Sequence, residues 1–438
     1  MSGVFRRTNG APVVAVRGEG AWVTDAAGNR YLDAAGGAIA VSLGHGDRRI
    51  ADAMAAQAAQ LAYAHAAAFT TEPVEAYAAE LSHVLPVDDP YVFPVSGGAE
   101  AVETAFKLAR AYHVANGDGD RHVIVARHGS YHGNTRGALD ASGRPGLRGP
   151  YEPWLGRTVH IPSPYEYRCP HPGHPTGCGE WHAARLAEIL ETLQPNTVAA
   201  FIAEPIAGAT LGGAVPPDDY WPAIIAVCRD HGVLVIADEV MTGFGRTGRW
   251  FAVDHWNVRP DILVAAKGAS SGYWPLGLCV ASGLVHGTVA AQGFVHGYTW
   301  SHHPVGAAVG REVLRRLQDD QLVERAAAVG ERLRRTIATE LAGLPCVGDV
   351  RGRGMLIGIE LVADEATKTP FPRSAQITER VVVAARQRGL LLYSSTGHLD
   401  GDGDLILIGP PFTIDDSEET MITKRLAAAI EDVCGGRP

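Results

Sequence analysis

Val233-Leu-Val-Ile-Ala-Asp-Glu-Val240 is the stretch that decides the fold. An unbroken apolar run of this length reads as a strand buried on both faces, and such strands belong to parallel sheets covered by helices. The run ends on two carboxylates, Asp238 and Glu239. Ligands of open α/β sheets bind beyond the carboxyl ends of the strands, so these acids either face a ligand or simply begin the next loop. The same texture recurs around it. Tyr91–Val95, His122–Ala126, Val198–Ala203 and Ile262–Ala266 read as further buried strands. Between them Val102, Ala105, Phe106, Ala109 and Tyr112 recur at helical spacing, as do Leu186, Ile189, Leu190 and Leu193. Strands alternating with helices imply an α/β fold, a mostly parallel sheet sandwiched by helices.

Further out the texture changes. Ile50–Ala68 is rich in Ala, the best helix former, and reads as one helix. Beyond about Ser301 come a helical, charge-rich Pro304–Leu341, an apolar run with glycines at Val347–Val362, and a helix at Ala375–Arg388. Strand-like Leu390–Ser394 and Leu405–Ile408 follow, and then a helix at Ser417–Val433. This pattern describes a smaller α+β domain, which the alternating segment Trp22–Asp33, turning at Ala27–Gly28, joins from the other terminus. The expected division is residues 1–50 with the small domain, 51–310 as the large ligand-binding domain, and 311–438 as the C-terminal small domain.

The 438 residues carry 38 basic and 48 acidic side chains, a net charge of −10, which argues against a nucleic-acid-binding surface. No apolar stretch approaches the roughly 20 residues of a membrane span. The first residues include Arg6 and Arg7 but no apolar core of a signal peptide. Six cysteines are too sparse for a disulfide scaffold. A cytoplasmic protein with reduced thiols is the expectation.

Three more stretches carry chemistry. Pro260–Gly268, PDILVAAKG, ends an apolar strand on a single lysine, Lys267. A lysine at a sheet edge can lose its proton and form a Schiff base, although one lysine after a strand is more often a surface residue. Ser96-Gly-Gly-Ala99 runs from a strand into a helix, where backbone N–H groups and the helix dipole favour an anion. His128–Gly133, HGSYHG, puts the flat ring of Tyr131 on a glycine-lined loop. An anion cradle, a stacking ring, a carboxylate and a lysine at strand ends are together what pyridoxal 5′-phosphate (PLP) requires: a helix start for its phosphate, a carboxylate for its pyridine nitrogen, a lysine for its aldehyde.

These motifs stand in order with others: Asp25–Asp33, Leu43-Gly-His-Gly46, Ser96–Arg110, Ser130–Gly133, Glu204-Pro-Ile206, Asp238–Gly248, Lys267, His296-Gly-Tyr-Thr299, His303-Pro304 and Val350–Met355. Over nearly the whole chain the sequence resembles a class III aminotransferase of the PLP fold type I superfamily. The resemblance implies a large domain with a seven-stranded-type sheet and a smaller domain from both termini. It implies a ping-pong transfer of an amino group from an amine or amino-acid donor to a keto acid or aldehyde. Lys267 would form the internal aldimine and move the proton. Asp238 would pair with the pyridine nitrogen, Val240 and Tyr131 would pack on the two ring faces, and Gly98 and Ala99 would bind phosphate through backbone N–H groups. Many relatives have Ser where Ala99 stands, so one hydroxyl contact is expected to be absent. Thr299 would reach the phosphate of a neighbouring subunit, which makes a homodimer or larger homo-oligomer with shared sites the functional unit. Decarboxylation, racemisation or an aminomutase reaction on the same fold is the alternative. A non-catalytic scaffold is the rival from another class.

Two further stretches need a reading of their own. Cys169, His171, His174 and Cys178 crowd ligand-capable side chains into a Pro/Gly-rich stretch, which reads as a loop near the site entrance rather than a metal centre. Several relatives carry an arginine that grips a substrate carboxylate on the strand before the Pro-Pro motif, here Pro410-Pro411. Tyr393 stands there instead. Some other cationic or polar group is then expected to hold the acceptor acid, with Arg351 and Arg353 as candidates for the missing charge. Tyr393, Arg353 and Glu204 make the expected substrate pocket, and the acidic stretch Thr396–Asp404 is expected to be a loop that repels anions.

Overall fold

The computed structural model describes residues 3–5, 13–169, 177–194 and 196–435. The centre is a seven-stranded sheet. In chain order its strands are β1 (Tyr91–Val95), β2 (Val123–Arg127), β3 (Thr158–Ile161), β4 (Val198–Ala203), β5 (Leu234–Glu239), β6 (Ile262–Ala265) and β7 (Gly277–Ala281). In space they run β1-β7-β6-β5-β4-β2-β3. β7 is antiparallel to both its neighbours, and every other pair is parallel. Strand alternation divides the core into two layers. Ala200, Ile202, Leu234, Ile236, Ile262 and Val264 pack with the helix Gly98–Ala115. Phe201, Ala203, Val235, Ala237, Leu263 and Ala265 face the opposite layer, which holds the helices Cys178–Thr192 and Tyr220–Asp230. β4 and β6 are buried along their whole length, hence their unbroken apolar sequence.

The rest of the chain builds two four-stranded sheets. Ala15–Glu19, Trp22–Asp25 and Arg30–Asp33 form an antiparallel meander, extended by Leu390–Leu391 parallel to its last strand. Its tight turn uses Gly28 at φ 86°. The other sheet, Val347–Arg353, Leu356–Leu361, Asp402–Ile408 and Tyr393–Leu399 in that spatial order, is antiparallel throughout. Helices Leu322–Leu341 and Ile377–Gln387 pack on it, and Asp416–Cys434 packs against those two helices and against Leu390–Leu391. The expected architecture is present: a large, mostly parallel seven-stranded sheet between helices, with smaller sheets built from both ends of the chain.

Some boundaries differ from the sequence reading. The helix expected over Ile50–Ala68 spans Arg48–Gln60. The chain then leaves helical geometry at Leu61, and the Tyr63 hydroxyl donates to the Thr299 carbonyl. Leu390–Ser394 is split between two sheets. Thr396–Asp404 is mostly hairpin, turning at Asp400 and Gly401, both with positive φ.

Candidate active site

The ends of β1, β5 and β6 open onto one cavity of about 580 Å³. Its lining brings together Gly98, Ala99, Tyr131, Asp238, Val240 and Lys267. Each arrives by a different local cause. Gly98 starts the helix Gly98–Ala115, whose N-cap, Gly97, has no side chain to cap the first turn. The leading N–H groups of a helix have no acceptor within it, so this end presents donors to the cavity. Ser96 adds a buried hydroxyl without a partner among the described residues. Close packing forms the cradle: a Cβ on Gly277 would sit 2.4 Å from the Gly97 carbonyl oxygen, and one on Gly133 would sit 2.8 Å from the Ala99 Cβ.

The two acids that end β5 part company by strand alternation. Asp238 faces the cavity. Its Oδ2 lies 2.6 Å from Nδ1 of buried His132, and its Oδ1 accepts from the Val240 N–H at 3.0 Å. Glu239 turns to the other side, accepts from the Val253 N–H at 2.8 Å and from the Thr242 hydroxyl, and is pushed up to about 7 by burial. One acid is available to a ligand and the other ties down the following loop.

Lys267 opens a short turn directly after β6 with φ 43°, a strained conformation for a non-glycine residue. Removal from water lowers its amine to about 8, and the negative charge of Asp238 and Glu204 opposes that fall only in part.

Not every expected residue lines this cavity. Glu204 lies behind it, with its carboxylate accepting from the Tyr131 N–H at 3.0 Å and the Gly208 N–H at 2.8 Å. Burial raises its pKa. It holds the Tyr131 loop rather than facing a substrate. Arg353 lies over the Trp256 ring, 3.5 Å from Asp218, on the wall of two other cavities. Arg351 is consumed by Asp349, Glu360, the Tyr165 hydroxyl and the Leu211 carbonyl. Neither arginine replaces the charge missing at Tyr393. Thr299 is exposed and outside the lining. Asp404, expected to repel anions, is buried against Arg373 and Thr378, and Asp402 accepts from the Arg373 N–H. His171 and His174 lie outside the described residues. Cys169 and Cys178, the two cysteines of that stretch, form no disulfide, and burial together with the neighbouring Cys169 pushes the Cys178 thiol up to about 12.

Two residues in or near the site had no role in the sequence reading. His132 was visible only as part of HGSYHG, and its bond to Asp238 spans 106 positions. Arg144 reaches the Thr396 carbonyl with its Nη2 at 2.7 Å and has no motif to mark it.

The model of the class-III aminotransferase family matches residues 5–430, and the chain belongs to that family. Aminotransferase YodT of Bacillus subtilis is 38% identical over 427 residues, covering 96% of each chain. Among solved structures, an (S)-enantioselective omega-transaminase from Thermomicrobium roseum is 39% identical with a TM-score of 0.92, over 99% of this chain and 96% of that one. An amine transaminase from an uncultivated Pseudomonas species, in a PLP-bound form, is 34% identical with a TM-score of 0.93, over 99% of both chains. The protein is an aminotransferase of a PLP-dependent family. No helix among the described residues is long and apolar enough to cross a membrane.

Proposed function

We propose that the cavity at the ends of β1, β5 and β6 holds PLP and that the enzyme moves an amino group from an amine donor to an α-keto acid. The observation that carries this reading is the convergence of Gly98, Ala99, Tyr131, Asp238, Val240 and Lys267 on one cavity. The residues fit the group by their chemistry. An uncapped helix start and the unpartnered Ser96 hydroxyl suit a phosphate. Tyr131 and Val240 suit the two faces of a flat ring. Asp238, kept in place by His132 and the Val240 N–H, suits a protonated ring nitrogen. Bound there, PLP supplies an electron sink for the substrate carbon that loses or gains nitrogen.

The chain's own residues do the rest. Lys267 would hold the cofactor's aldehyde carbon through Nζ. Once released by substrate, the amine is poised near neutrality and can take the proton from the substrate carbon and return it. Glu204 fixes the backbone of Tyr131, which would hold that ring in place against the cofactor. Residues 51–310 would form the cofactor-binding unit, and residues 1–50 with 311–438 the smaller domain over it. Exposed Thr299 suits a contact with the phosphate in a second copy, which makes the working unit a homodimer with shared sites.

Tyr393 cannot grip a carboxylate with two charged donors as an arginine does. The omega-transaminase among the relatives agrees with a donor whose reacting carbon bears no carboxylate. The test is the first half-reaction. Purified holoenzyme mixed with 1-phenylethylamine or putrescine should change its absorbance to that of the aminated cofactor, faster than with glutamate or lysine reacting at its α-amine. A clear preference for these α-amino acids, retained in Tyr393→Phe, would overturn the donor class. Absence of any half-reaction would overturn the role of the site.

A further inference from the structure

We propose that Arg144 recognises the carboxylate of the α-keto acid acceptor. The proposal rests on the reading of the cavity given above and adds to it the residue that selects the second substrate.

Backbone packing sets the position of Arg144. The Gly143 N–H donates to the Ser130 carbonyl and hydroxyl, both at 3.1 Å, and its carbonyl accepts from the Gly129 N–H at 2.9 Å. A Cβ on Gly143 would lie 2.2 Å from the Arg127 carbonyl oxygen. The chain at residue 143 therefore lies flat on the loop that carries the cavity-lining Tyr131, and Arg144 leaves that loop from a fixed point. Its Nη2 donates to the Thr396 carbonyl at 2.7 Å. Thr396 belongs to the strand Tyr393–Leu399, which packs against Gly36–Ile39, next to the cavity-lining Ala40. The guanidinium thus bridges the Tyr131 loop and the strand on which several relatives carry their arginine. Tyr131 and Tyr393 are both close enough to act on its charge.

What the guanidinium lacks points to a ligand. It is half-buried, and loss of water around it disfavours the charged form. A sheltered charge normally finds a counter-charge. Arg144 has no carboxylate within ion-pair distance among the described residues, and a single carbonyl is its protein acceptor. Arg148, on the same segment, shows the contrast: it serves the carbonyls of Leu139, Asp140 and Ser142 and the carboxylates of Asp140 and Glu152. Arg351 is equally saturated. Arg144 keeps free the planar edge that matches a carboxylate with two N–H groups. An α-keto acid would complete it, and an uncharged amine donor would leave it on Thr396. The same cavity then serves both substrates of a ping-pong cycle.

The experiment compares wild-type holoenzyme with Arg144→Gln and Arg144→Lys, using 1-phenylethylamine as donor. The acceptors are pyruvate and propanal, which is of similar size without the charge. Loss of a charged hydrogen-bond pair corresponds to about a 10- to 100-fold change in binding. The KM for pyruvate should rise by that factor in Arg144→Gln and by less in Arg144→Lys. The KM for the amine and the kcat/KM for propanal should stay within about twofold. Calorimetric binding of propionate, which cannot react, should weaken by the same factor. That measurement needs no turnover and decides the role of Arg144 even if the donor class is wrong. A pyruvate KM and a propionate affinity that do not move, or pyruvate and propanal falling together, would overturn the assignment.

Discussion

Replacing Gly98 by Ala sets two known effects against each other at the heart of the cradle. Ala is the better helix former by up to about 1 kcal/mol, and Gly98 opens an 18-residue helix. The added Cβ, however, would lie 2.8 and 3.0 Å from the two γ-carbons of Val240 and 3.6 Å from the Ala266 Cβ. Val240 has a stiff β-branched side chain, and its N–H is tied to Asp238 at 3.0 Å, so its retreat strains the same carboxylate. Overpacking of this kind costs about 1–3 kcal/mol. The clash should win, because propensity is worth least at the first helical position. If Val240 bounds the cofactor as proposed, the net loss of about 1–2 kcal/mol appears as a PLP dissociation constant raised about 5- to 30-fold. Equilibrium dialysis of the apoenzyme measures it. Val240→Ala removes both methyl groups. Adding it to Gly98→Ala should recover most of the loss, with a coupling energy of at least about 1 kcal/mol in the double-mutant cycle. Unchanged affinity in Gly98→Ala, or two losses that simply add, would refute the reasoning.

Three further outcomes are expected. Only the neutral amine of Lys267 captures an aldehyde, and burial lowers its pKa from 10.5 to about 8. The rate of PLP capture by apoenzyme should therefore climb with pH to a plateau with a midpoint near 8, and Lys267→Ala should yield no borohydride-fixed cofactor; a midpoint near 10.5 would contradict the buried amine. His132→Phe removes the 2.6 Å contact to Asp238 while preserving the ring's volume. Losing a hydrogen bond to a charged group should lower kcat by about 10- to 100-fold with the fold intact by circular dichroism, and normal turnover would show that Asp238 needs no such support. Subunits carrying Lys267→Ala and subunits carrying Thr299→Ala, mixed until they exchange, should regain activity in hybrids; exchange without recovery would place Thr299 outside the partner's site.

The strands legible in the sequence were those whose burial is complete. β4, β5 and β6 declare themselves because both faces are covered, and β5 even carries its acids to the ligand edge. β3 and β7 escaped notice for physical reasons. Thr158–Ile161 is a short, partly exposed edge strand containing a histidine, and Gly277–Ala281 starts on the glycine that lets it pass close to Gly97. Leu390–Ser394 looks like one strand because apolar periodicity says nothing about which sheet each residue joins. Lys267 and Asp238 were legible because each ends an apolar run. His132 and Arg144 were not, because their partners lie 106 and 252 positions away. The acidity around Asp404 misled for the same reason: composition does not show that a distant arginine neutralises it.

The parallel pairing of Leu32 with Leu390 and of Asp33 with Leu391 has a consequence for how the protein is made. A ribosome adds about 5–20 residues per second, so the N-terminal meander leaves the exit tunnel roughly 20 to 70 s before the strand that completes its sheet. During that interval the edge of Arg30–Asp33 has no neighbour, while the seven-stranded sheet, whose strands all lie between residues 91 and 281, is already able to assemble. Nascent chains stalled near residue 340 should therefore resist protease over the seven-stranded sheet and remain cleavable in the first 50 residues. The beginning of the chain is among the last parts to be locked in place.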